Sequence, residues 1–128
     1  PDNRVAYQYL AASAILHKKL DKLYTITETY GFPDGDGIPI IMQQALAVYF
    51  AKNEQYDHPL FARISDDVKI GFNDFYADYL EMDSKKPGYV SHIRKMKEKY
   101  GDTYYFYYFL FLRLLRSYAK RLSRMQML

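Results

Sequence analysis

Tyr104-Tyr105-Phe106-Tyr107-Tyr108-Phe109-Leu110-Phe111-Leu112-Arg113-Leu114-Leu115-Arg116-Ser117-Tyr118-Ala119-Lys120-Arg121-Leu122, residues 104–122, is where the helix and strand readings of this chain part. Its first nine residues are apolar and largely aromatic, a composition that suits a buried strand as well as a helix. The second half has helical spacing. Arg113, Arg116, Lys120 and Arg124 fall within one narrow arc, and Leu115, Tyr118, Leu122 and Met125 occupy the other side. No second segment offers a convincing strand to pair with, and an isolated strand leaves its backbone groups unsatisfied. The run therefore reads as one long helix over about 103–124, capped by Asp102, and the chain as all-α.

Helical periodicity continues upstream. Val68, Phe72, Phe75, Tyr76 and Tyr79 recur at i, i+4, i+7, i+8 and i+11, with Asp67, Asp74, Asp78 and Glu81 opposite them. Ser65 suits the N-cap of that helix, and Asp66 and Asp67 suit its first turn. A shorter basic helix is expected over 90–99, ending at Tyr100-Gly101. Nearer the N-terminus, the N-cap types Asp2 and Asn3 precede a helix over 5–16. Apolar residues surround that helix, which suggests burial on two sides. His17-Lys18-Lys19 reads as its cationic end. A second helix over 20–30 is stopped by Gly31 and Pro33, and a third runs over 40–53 with Pro39 as its first residue. Residues 33–39 and 84–88 are the clear loops, and 55–59 is a break. The expected architecture is one helical domain over 1–128, built from antiparallel helix pairs in 1–34, 38–83 and 89–128. The pairs form a short repeat-like stack closed by the aromatic C-terminal helix.

Composition bounds the function. The 128 residues are 49% hydrophobic and 26% charged, which excludes a disordered tail. With no Cys there is no disulfide, thiol nucleophile or cysteine metal site, and the compartment stays open. The net charge of +3 conceals a split: residues 1–83 sum to −6 and residues 84–128 to +9. Such a chain pairs its own halves or shows faces of opposite sign to different partners. Residue 1 is proline, which reads as a piece of a longer protein. The longest apolar run, Tyr104 to Leu112, is far below the ~20 residues a bilayer span needs. The piece itself is thus expected to be soluble or peripheral.

A shift of 36 overlays two segments. Leu10-Ala11 falls on Leu46-Ala47, and Leu20-Asp21 falls on Tyr56-Asp57. Each copy sets a small residue after a Leu in a first helix, then a bulky residue and Asp at the following turn, which is the logic of a helix–turn–helix repeat. Tyr7, Leu10, Ala11, Leu20-Asp21 and Leu23 resemble a degenerate tetratricopeptide unit, with departures at Leu23, Thr27, Tyr30 and Pro59. The segments 3–10, 20–22 and 100–105 are similar in texture to the C-terminal part of a family of uncharacterised bacterial proteins with hydrophobic N-terminal segments. That second resemblance implies a membrane-tethered parent and no activity.

Reactive chemistry is sparse. His17, His58 and His92 lie on three segments without metal-ligand spacing. Asp34-Gly35-Asp36-Gly37 has no downstream bidentate acid, so it reads as a turn rather than a calcium loop. Asp66-Asp67 and Asp74/Asp78 are explained by a first helical turn and a polar face. No phosphate-binding glycine loop or nucleophile elbow is present. No catalytic residue, metal or cofactor is assigned. The expected function is a non-catalytic, helical-repeat-like interaction module that binds another protein or the rest of its parent chain. The candidate contact residues are Tyr7, Tyr104, Tyr105, Tyr108, Arg113, Arg116 and Lys120. The alternative is attachment to an anionic membrane surface through the basic C-terminal helix. An enzyme ranks third, and no nucleic-acid motif accompanies the charge.

Overall fold

The computed structural model describes residues 4–31, 37–84 and 89–126. Every regular element among them is helical: α1 (Arg4–Leu16), α2 (Leu20–Tyr30), α3 (Ile40–Lys52), α4 (Pro59–Ala62), α5 (Asp66–Ser84), α6 (Tyr89–Tyr100), α7 (Tyr104–Phe106), a π-helical turn (Tyr107–Phe111) and α8 (Leu112–Gln126). The chain clusters into two compact units, Pro1–Phe72 and Asn73–Leu128, and the division falls inside α5. The expected cap residues Asp2 and Asn3, the turn Asp34-Gly35-Asp36, and Lys85 to Gly88 lie outside the described residues.

In the first unit α2 packs against both α1 and α3. The central helix is α3, where Met42, Gln43 and every residue from Ala45 to Phe50 are buried. Buried Tyr7 donates its hydroxyl to the Gly31 carbonyl at 2.8 Å, fixing the start of α1 to the end of α2. Gly31 takes φ +73 as the expected helix stop, and its N–H donates to the Thr27 carbonyl at 2.9 Å. The end of α1 agrees with expectation. The helix stops at Leu16, and Lys18 takes the left-handed conformation, φ 59, while Lys19 N–H returns to the Ala14 carbonyl. Pro39 sits one residue before α3 in extended backbone, not as its first helical residue. Gln43 joins two segments: its Nε2 donates to the Ile38 carbonyl and its Oε1 accepts the Ser65 N–H, both at 2.8 Å. Ser65 caps α5 as expected, accepting the Val68 N–H at 3.3 Å. The break after α3 holds a feature not foreseen, the single turn α4, capped by His58, whose ring accepts the Leu60 N–H at 3.0 Å.

The second unit is organised on Phe75, which is fully buried. Its ring meets Tyr100 edge-on at 5.1 Å and lies 5.8 Å from Tyr105 and 5.6 Å from Phe109. The long helix begins one residue later than expected. Thr103, not Asp102, is its cap, and Thr103 Oγ1 accepts the Phe106 N–H at 3.3 Å. The aromatic run is helical, but its middle is a π turn. That widened turn leaves Tyr107, Tyr108 and Phe109 all half-buried and sets Leu110 in the core.

Across the 36-residue overlay, burial agrees at the alanine pair and differs at two others. Ala11 and Ala47 are both buried, as a close helix approach requires. Leu10 is exposed where Leu46 is fully buried, and Leu20 is buried where Tyr56 is exposed.

Candidate functional site

Two surfaces stand out, one in each unit. The first lies on α1. Tyr7, Ala11, Ala14 and Ile15 form its buried face. Burial on two sides, expected from the apolar perimeter, is not found among the described residues. Val5, Tyr9 and Leu16 are exposed at 64%, 75% and 60%, and Ala12 between them is exposed too. Positions 5, 9, 12 and 16 follow the i, i+4, i+7, i+11 spacing of one helix face. The outcome is a three-turn apolar strip in water. The signal was present in the sequence, where an all-round apolar helix implies a second covering surface; what the sequence lacks is the identity of the cover.

The second surface lies on α8. Arg113 is anchored by its own unit: its guanidinium donates to the Tyr79 hydroxyl at 3.2 Å, sits 3.5 Å from Asp83 Oδ1, and rests over the Tyr79 ring. Arg116, Lys120, Arg121 and Arg124 are exposed, and among the described residues they form no ion pair. All five cations line a groove of about 460 Å³, together with Val90 at the start of α6 and Ser117. Leu112, Leu115, Leu122 and Met125 are exposed on the other side of α8. Asp83 meets the basic stripe at Arg113. Asp78, expected on the acidic face, is taken by α6: its carboxylate accepts from Tyr100 at 2.5 Å and from Lys99 at 3.1 Å. The Tyr100 hydrogen bond, followed by that from Lys99, holds the Asp78 carboxyl below the usual carboxylate range. Asp78 and Lys99, with Glu81, Met82, His92, Lys95 and Met96, line a smaller pocket of about 210 Å³.

The seven candidate contact residues divide. Tyr7, Tyr104 and Tyr105 are core residues, so they present no surface to a partner. Burial raises the Tyr7 hydroxyl and pushes those of Tyr104 and Tyr105 well above the usual phenol range. The aromatic block fills the interior of its unit, as large rings do when a helix can turn them inward. Tyr108 is half-buried, edge-on to Phe109 at 4.9 Å. Arg113, Arg116 and Lys120 are brought together in the α8 groove, and the rings of Tyr104 and Tyr108 lie 6.0 Å apart.

A polar cluster in the first unit went unread. His58 Nε2 lies 2.6 Å from Glu28 Oε1 and 3.0 Å from the Tyr24 hydroxyl, with Phe50 stacked on its ring. Burial, with the Glu28 hydrogen bond second, raises the Tyr24 hydroxyl. His58 lies 30 positions from Glu28 and 34 from Tyr24, and no local pattern links them. Among the described residues no group of three His, Asp or Glu side chains is placed to hold a metal ion.

The fold and these surfaces define an all-helical domain with exposed apolar and cationic helix faces. Residues 1–111 match a family of unknown function, DUF6057, and the chain belongs to that family. The matched span includes α1 and ends one residue before α8. No curated protein and no solved structure matches the chain.

Proposed function

We propose that this chain is a non-catalytic, helical-repeat-like interaction module, and that its docking surface is the apolar strip of α1. The observation that carries the reading is the exposure of Val5, Tyr9, Ala12 and Leu16 along one helix face. Three turns of apolar surface at that spacing match the ridge of a second helix, which packs into it by ordinary ridge-and-groove geometry. The strip carries no charge, so the surface it suits is apolar protein. The occupant is an amphipathic helix from another polypeptide segment, in the parent protein or in a separate chain. Tetratricopeptide-like antiparallel pairing is part of this proposal. The Tyr7–Gly31 hydrogen bond and the buried Ala11 and Ala47 support it.

The test is site-specific photo-crosslinking in the source cells, with benzoylphenylalanine replacing Tyr9. A discrete crosslinked polypeptide is expected from position 9 and not from exposed Lys22 on α2. Equal labelling from both positions, or none from position 9, contradicts the reading.

A second reading, peripheral attachment to an anionic membrane, is supported by the pairing of exposed leucines and cations on α8. A membrane-tethered parent belongs to this reading. Among the described residues no helix is long and apolar enough to cross a membrane. Co-sedimentation with phosphatidylserine vesicles that fades as salt rises supports attachment, and salt-independent absence of binding refutes it.

A further inference from the structure

We infer that the groove between α8 and the start of α6 is a binding site for a phosphomonoester group. The inference is independent of docking on α1, because it uses other residues in the other unit.

Five cations converge on one concavity, and the Asp83 carboxylate is held against Arg113 at 3.5 Å. Arg116 and Lys120, and Lys120 and Arg124, are four residues apart; Arg113 and Arg116, and Arg121 and Arg124, are three apart. Like charges at these spacings repel along a helix by ~0.2–0.5 kcal/mol per pair. Packing does not demand this arrangement, since Arg116, Lys120, Arg121 and Arg124 are all exposed. A multivalent anion seated among them turns that repulsion into attraction.

The chemistry favours phosphate. Four of the five cations are arginines, whose planar forks match two oxygens of a tetrahedral phosphate at once. Arg113 is already oriented by Tyr79 and Asp83, so part of the site is set before a ligand arrives. A volume of about 460 Å³ falls in the range of small-ligand pockets, ~300–1,000 Å³. The groove thus has room for a phosphorylated small molecule or a lipid headgroup. The shared feature is a terminal phosphate dianion, from either source.

The experiment is a calorimetric titration of the full chain with inorganic tripolyphosphate at fixed ionic strength, with a tricarboxylate as control. One saturable site is expected for tripolyphosphate. The triple variant Arg116→Gln/Lys120→Gln/Arg121→Gln weakens it by ~10-fold or more, as expected when charge-assisted hydrogen bonds are lost. The triple variant Lys22→Gln/Arg94→Gln/Lys97→Gln removes the same charge from exposed positions outside the groove and leaves affinity within ~2-fold. Circular dichroism verifies that both variants keep their helix. Vesicle arms separate the sources. Recruitment to phosphatidic acid in preference to phosphatidylserine, abolished by the groove variant, assigns a lipid headgroup. Tripolyphosphate binding without vesicle recruitment assigns a free phosphorylated ligand. No saturable binding, equal weakening by both variants, or equal affinity for the tricarboxylate overturns the site.

Discussion

Gln43 shows how much one buried side chain decides. Its amide satisfies the Ile38 carbonyl on one side and the Ser65 N–H on the other. Gln43→Leu fills similar space but strands both groups, so urea unfolding should show a loss of ~1–3 kcal/mol. Asp78 makes a pH-dependent contribution. Its folded-state carboxyl titrates below the ordinary value because Tyr100 and Lys99 donate to it. Its stabilisation is therefore complete above the ordinary carboxylate pKa and is lost as pH falls through the depressed folded value. Urea titrations between about pH 5 and pH 2 should show a shallower acid loss for Asp78→Asn than for the parent sequence. Individual residues were the least legible level of the sequence. Tyr7, Tyr104 and Tyr105 read as contact residues because tyrosine suits both cores and interfaces, and only packing tells which. The Tyr24–Glu28–His58 cluster joins α2 to the cap of α4, a contact between distant segments with no local signature.

Elements were far more legible, because helix stops and caps are local chemistry. Gly31 and Ser65 act as their sequence positions imply, and on α5 Val68, Phe72 and Phe75 are buried as expected while Tyr76 is exposed. The π turn was invisible, since an i, i+3, i+4 pattern presumes a constant period and a widened turn shifts it. That shift lets Phe109 reach Phe75 while Leu110 enters the core. The reversal from α6 to α7 depends on Gly101. A β-carbon there runs into the Lys97 carbonyl oxygen, which already accepts the Gly101 N–H at 2.8 Å. Gly101→Ala should therefore cost ~1–3 kcal/mol, read as a lowered urea midpoint with an unchanged slope.

At the scale of the molecule, the charge split foretold an acidic and a basic half, and much of the excess positive charge lies on α8. The division into two units within α5 has no counterpart in the sequence, where that helix is one uninterrupted amphipathic run. The α1 strip was legible as a chemical fact and illegible as a surface. An apolar perimeter states that two covers are wanted, and the fold shows Val5, Tyr9 and Leu16 exposed among the described residues. The account turns on Val5, Tyr9 and Leu16 being apolar for a docking helix and not for the fold. The most direct measurement is the unfolding free energy of Val5→Gln/Tyr9→Gln/Leu16→Gln. Exposed positions predict a change within ~0.5 kcal/mol per residue. A loss of ~2 kcal/mol or more per residue, the signature of core truncation, would contradict it.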